Sequence, residues 1–161
     1  MDPPLLHRIT VCIDGSPTAE LAMSYALALA QRFQSELSIL AVAPLIPGFA
    51  PTTTEPWTAP QVGPNDLEQY RSIVDRAVHA AEAAGVSSVT GICLEGVIVD
   101  EIIAHIEAHR PDLLVMGSRG LSTAKRLLLG SVSDAVLHHS NCPVLVVRGA
   151  ANPPAAGNPK S

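Results

Sequence analysis

Apolar residues in this chain gather into short runs, and between the runs they return every third or fourth position. That alternation of patterns predicts strands separated by amphipathic helices. Ile9–Ile13 (ITVCI) has strand character and ends in Asp14-Gly15-Ser16-Pro17. Ser16 suits a helix N-cap and Pro17 the first helical position. Ala22, Tyr25, Ala26 and Leu29 then keep helical spacing as far as about Gln34, and Glu36–Val42 forms a second strand. Strand, helix and strand over so short a span predict a right-handed βαβ unit. Asn65 and Glu68 have capping-box spacing. Leu67, Tyr70, Val74, Ala77, Ala81 and Ala84 follow on one helical face up to Gly85, a residue suited to a helix C-cap. Val86–Leu94 predicts a third strand, and a helix from about Val97 to His109 stops at Arg110-Pro111. Asp112–Met116 is a fourth strand, Ser131–His139 a helix and Val144–Arg148 a fifth strand.

Two stretches break the pattern. Residues 44–64 hold six of the 14 prolines, three consecutive threonines and the single tryptophan, Trp57, which predicts a long loop serving as a lid, a partner contact or a disordered excursion. From Gly149 onward the composition is that of a disordered tail, so residues 1–148 make one domain and 149–161 its extension. Five apolar strands alternating with helices predict an α/β domain: an open parallel five-stranded sheet with helices on both faces. In such sheets ligands bind outside the carboxyl ends of the strands, where the strand order reverses.

Composition narrows the function classes. The 161 residues are 47% hydrophobic and 16% charged, with a net charge of −5. A mildly acidic chain lacks the basic face that nonspecific nucleic-acid binding needs. No apolar stretch approaches the roughly 20 residues of a membrane span. The N-terminus has no basic region followed by an apolar core, so no signal peptide is expected. The three cysteines are odd in number and fit no zinc or redox spacing, which predicts buried thiols in a reducing compartment, the cytoplasm.

Against that acidic background, residues 113–133 contain no Asp or Glu but include Arg119, Lys125 and Arg126. Within the segment, Gly117, two residues, Gly120, nine residues and Gly130-Ser131 follow the fourth strand directly. Glycines let backbone amides approach phosphate oxygens, and the second Gly-Ser opens a helix whose free N–H groups favour an anion. The Walker A pattern is absent, and Gly15 stands alone where a dinucleotide fingerprint would follow the first strand.

With VCIDGSP near the start, DLLVMGSRGL, the G-x2-G-x9-G-S spacing and the closing CPVLVVR, the chain resembles the universal stress protein family in its ATP-binding branch. The resemblance covers roughly residues 7–148, the proline-rich loop excepted. It implies a Rossmann-like sheet of order 3-2-1-4-5, akin to the adenine-nucleotide α-hydrolases, binding ATP or another adenine nucleotide with Mg²⁺. By position, Cys12 and Ile13 would border the adenosine, Asp14 would approach the ribose or Mg²⁺, and Val42 would meet adenine through its backbone. Met116, Gly117, Arg119 and Gly120 would hold ribose and phosphates, while Gly130, Ser131, Val132 and Ser133 would close on the phosphate tail. Ser118, beside that tail with Ser122 and Thr123, would be a further contact or a phosphate acceptor. The family also implies a homodimer through the last strand, Val144–Val147.

Several of these residues have a structural reading as well. Ser131 and Asp134 have capping-box spacing, and a carboxylate there would repel a phosphate tail. Asp14 suits its own turn. His105 and His109 share metal-ligand spacing, but nothing completes a site and exposed helix-end positions are expected. The phosphate segment carries no general base, so catalysis is expected to be absent or slow. The alternatives are an adenine-nucleotide hydrolase or transferase, whose SGGxDS loop this chain reduces to DGS, a cAMP or AMP sensor, and a nucleotide-free dimeric interaction module.

Overall fold

The computed structural model describes residues 6–45, 64–119 and 129–149. Among these residues nine elements run in strict alternation: β1 (Arg8–Cys12), α1 (Pro17–Phe33), β2 (Glu36–Pro44), α2 (Pro64–Ala83), β3 (Val89–Gly96), α3 (Ile98–His109), β4 (Leu113–Gly117), α4 (Ser131–His139) and β5 (Val144–Val147). The strands pair in parallel in the order β3-β2-β1-β4-β5, so β1 and β4 are neighbours and the order reverses between them.

Because side chains alternate across a strand, each strand feeds two cores. Ile9, Val11, Leu37, Ile39 and Val115 pack beneath α1 and α2 with Ala22, Ala26 and Val74. Leu40, Val42, Leu114 and Met116 pack on the opposite face with Ile102 and Ile106 of α3 and Val136 of α4. Fully burying an aliphatic side chain contributes roughly 1.5–3 kcal/mol, and Ile9, Leu37, Ile39 and Leu114 are essentially inaccessible.

The helix ends follow their local chemistry. Ser16 caps α1, its Oγ accepting from Ala19 N–H at 3.3 Å, and Pro17 fills the first position. After α2, Gly85 adopts φ +89°. Its N–H donates to Glu82 and that of Val86 to Ala81, which closes a Schellman turn. This turn corrects the start of the third strand: Val86 is spent on the cap and packs at 6% exposure, so β3 begins at Val89. Asn65 lies inside α2 rather than at its cap, because the helix already starts at Pro64.

β2 runs to Pro44, two residues beyond the predicted end at Val42. Glu36 N–H donates to His7 and Leu40 O accepts from Ile13, so even-numbered residues of β2 face β1. Leu37 and Leu45 donate instead to Ser88 and Gly96, on the β3 side. The missing N–H of Pro44 therefore falls on the side where β1 has already ended.

His105 departs from expectation. It is 4% exposed and faces the sheet, with Nε2 3.4 Å from Thr10 Oγ1 of β1, and its ring stacks on exposed His109 at 4.1 Å. Burial, reinforced by neighbouring His109, holds its pKa below the ordinary histidine value. The 3.6-residue period turns Ile102, His105 and Ile106 to one face, and two apolar neighbours carry the histidine inward with them.

Candidate functional site

The reversal between β1 and β4 opens a cavity of about 310 Å³ at the carboxyl ends of the strands. Its wall includes Cys12, Ile13, Asp14, Val42, Met116, Gly117, Arg119, Gly130, Ser131, Val132 and Ser133. These residues, which come from four separate segments, are the ones the family resemblance groups as a site. Gly120, Lys125, Arg126, Trp57 and the rest of 46–63, together with the tail beyond 149, lie outside the described residues.

At the end beside Val42, the side-chain surroundings are apolar and the polar groups come from backbone. The β1–β2 ladder pairs Cys12 with Leu40, and one further bond joins Ile13 N–H to Leu40 O. The chain then turns off through Asp14-Gly15. Val42 has the same parity as Leu40, so its N–H and C=O point toward the side that β1 has vacated, at the cavity edge. A donor and an acceptor two bonds apart on an extended strand match the edge of a planar heterocycle. Leu40, Met116, Ile98 and Ile102 supply flat apolar cover.

Asp14 stands at the mouth between the ends. Its Oδ1 accepts Ser16 N–H at 2.9 Å, so the carboxylate closes its own turn while lining the cavity. Both of its expected roles are compatible, because a carboxylate has lone pairs to spare. Cys12 beside it carries a thiol that burial pushes up to about 12, helped by the charge of Asp14. The protonated thiol forms part of the apolar wall.

At the opposite end, α4 begins with Gly130 as N-cap, with no side-chain cap. Ser131 is thus the first helical residue, and the Ser131–Asp134 capping box does not form. Asp134 turns outward, 3.8 Å from His138 on the exposed side of the helix, away from the cavity. The uncapped helix N-terminus faces the cavity with Ser131, Val132 and Ser133 on its wall, an arrangement that attracts an anion. Ser133 is only 2% exposed, and its Oγ lies 3.0 Å from the carbonyls of both Ser118 and Gly130. Ser118, expected beside the phosphate tail, is buried and lies off the cavity wall, its N–H donating to Val147 and its carbonyl accepting from Gly130 N–H. The backbone leaving β4 is held between α4 and β5, which turns that residue inward.

Sequence reasoning missed Ala19, Leu40, Pro44, Tyr70, Ile98 and Ile102, which also line the cavity. Ile98 and Ile102 lie one turn apart, a spacing that looks the same for a ligand wall and for a core. Tyr70 had been read only as a member of the packed face of α2. Among the described residues, no three potential metal ligands cluster together, and no helix is long and apolar enough to cross a membrane.

Comparison with known proteins agrees with this architecture. The sequence profile of the universal stress protein family matches residues 6–148. Universal stress protein YxiE of Bacillus subtilis (strain 168) is 35% identical over 153 residues, covering 89% of this chain and 100% of its own. Universal stress protein UspA from Lactobacillus plantarum shares the fold with a TM-score of 0.75 at 21% identity, over 91% of this chain and 100% of its own. A universal stress protein solved in complex with cAMP superposes with a TM-score of 0.67 at 27% identity, over 90% and 98% of the two chains. The chain belongs to the universal stress protein family.

Proposed function

We propose that this universal stress protein binds ATP in the cavity between β1 and β4 and acts as a nucleotide-dependent regulator or sensor in the stress response. The observation that carries the reading is the pairing of two polar ends in one apolar-walled cavity. The free backbone edge of Val42 lies at one end and the uncapped N-terminus of α4, with Ser131, at the other. Adenine would lie along Val42 between Leu40 and Met116, and the phosphates would meet the α4 amides and Arg119. The G-x2-G-x9-G-S spacing supports a polyphosphate, because the two glycine points bring two backbone segments to one anion.

Mg²⁺ fits at Asp14, the one carboxylate among the described wall residues. Mg²⁺ characteristically takes one or two carboxylates, phosphate oxygens and water. The bound ion would neutralise phosphate charge there. No histidine lines the described wall, and its one carboxylate, Asp14, would be taken up by Mg²⁺. Hydrolysis is therefore slow at most. A homodimer would form through β5, Val144–Val147, which is an edge strand among the described residues. The free, half-buried cysteines suit a reducing compartment, the cytoplasm.

A cyclic or single phosphate is the second reading, favoured by the cAMP complex of the 27% identical relative. The test is to denature freshly purified protein, identify any released small molecule by mass spectrometry, and then let ATP and cAMP compete in one titration. ATP or ADP near one per chain, displaced poorly by cAMP, is expected. Tighter cAMP binding selects the second reading, and no affinity for either below the millimolar range refutes both.

A further inference from the structure

We infer that Thr18, in the first turn of α1, is a positioning residue for the phosphate-binding backbone: its hydroxyl holds the Arg119 carbonyl away from the site. The inference rests on the nucleotide reading above and adds to it a residue that contributes no group to the cavity wall.

Two consecutive carbonyls follow β4, and each is captured from a different side. The Ser118 carbonyl takes Gly130 N–H at 2.8 Å and Ser133 Oγ at 3.0 Å. The Arg119 carbonyl takes Thr18 Oγ1 at 2.5 Å and, more weakly, Ser16 Oγ at 3.3 Å. A trans peptide sets its N–H opposite its C=O. Anchoring the Ser118 oxygen therefore fixes the plane of the Ser118–Arg119 peptide, and anchoring the Arg119 oxygen keeps its partial negative charge from turning toward an incoming phosphate. An oxyanion site needs its donors aimed and its acceptors averted before the ligand arrives.

Thr18 can do this because α1 starts directly against the end of β4. A Cβ at Gly117 would lie 2.7 Å from Thr18 Oγ1 and 2.8 Å from the Thr18 carbonyl carbon. The glycine thus lets the helix start approach closely enough for the hydroxyl to reach one residue past Ser118. Ser16 is the weaker donor because the cap bond its Oγ accepts from Ala19 N–H leaves it 3.3 Å from the Arg119 carbonyl. Thr18 has no such duty, so removing its hydroxyl leaves the cap of α1 in place. Its methyl lies 3.5 Å from the position a Cβ would take at Gly149, just after β5. Valine would preserve that packing while deleting the donor.

The experiment compares wild type, Thr18→Val and Thr18→Ser in calorimetric titrations with ATP plus Mg²⁺ and with adenosine, alongside thermal melts without ligand. Losing one hydrogen bond of this kind is expected to weaken ATP binding about tenfold. Adenosine affinity should stay within about twofold, because adenosine carries no phosphate for the averted carbonyl to affect. Thr18→Ser should restore ATP binding and melt with wild type, while Thr18→Val should melt no more than a few degrees lower, the loss of one hydrogen bond. Equal losses for ATP and adenosine, or unchanged ATP binding in Thr18→Val, would overturn the role of Thr18 while leaving the nucleotide site standing. A wild type that binds adenosine as tightly as ATP, or binds neither, removes the phosphate site itself and the inference with it.

Discussion

Replacing Gly117 by alanine tests the joint between the fold and the site. The added methyl would lie 2.7 Å from Thr18 Oγ1, 2.8 Å from the Thr18 carbonyl carbon and 2.9 Å from Ala19 N. Two of these three atoms are backbone, so no rotamer change relieves the contact and the start of α1 must move off β4. Overpacking of this kind costs about 1–3 kcal/mol. The smaller conformational freedom of an unfolded chain with alanine offsets roughly 0.4–1 kcal/mol of that. A net loss of about 1–2 kcal/mol, which for a domain of this size lowers Tm by roughly 2–8 °C, is expected. Helical circular dichroism during thermal and urea unfolding reads it. Moving the start of α1 also moves Ser16 and Thr18, so ATP affinity, measured by calorimetry well below the melt, should fall about five- to tenfold. Gly85→Ala is the control. It meets nothing within 4 Å but must hold φ +89°, so it destabilises by about 1 kcal/mol without touching the cavity. Its ATP affinity should not change. A Gly117→Ala protein that melts within a degree of wild type would refute the packing argument, and with it the view that Gly117 serves the fold as much as a ligand.

Two further outcomes follow from single side chains. His105 is held neutral by burial and by His109, with Thr10 of β1 its hydrogen-bonding neighbour, so its folded pKa is depressed. Its contribution is present above the ordinary value of 6.5 and is lost as pH falls below it. The slope is at most about 1.4 kcal/mol per pH unit for one proton. Urea unfolding from pH 7 to pH 5 should show that slope, and His105→Gln should flatten it; an unchanged slope means other groups govern acid stability. Asp14→Asn keeps the oxygen that accepts Ser16 N–H and removes the charge, so the fold should be unaffected. Mg²⁺ should then no longer strengthen ATP binding, and a Mg²⁺ dependence equal to wild type would place the ion elsewhere.

Local chemistry and periodicity determined most of the architecture before any coordinates. Ser16-Pro17 starts α1, Gly85 ends α2, and the five apolar runs are the five strands, because caps, turns and one-sided burial each act over a few residues. The grouping of Cys12, Asp14, Val42, Met116 and Gly130 was legible through the motif spacing that the family resemblance supplied. Periodicity alone does not say which strands are neighbours. Tertiary structure decided what depends on distant partners. Ser131 lost its capping box because Gly130 became the cap, and Ser133, at the third helical position, reached the Ser118 carbonyl. His105 went inside because Ile102 and Ile106 carry that face of α3 onto the sheet. Thr18 meets Arg119 across 101 residues only because the parallel order sets β1 beside β4 and leaves no side chain on Gly117 between them. A hydroxyl in a helix's first turn looks the same in sequence whether it faces water or a carbonyl. Its partner comes from a separate strand, and the packing of that strand against the helix selects it.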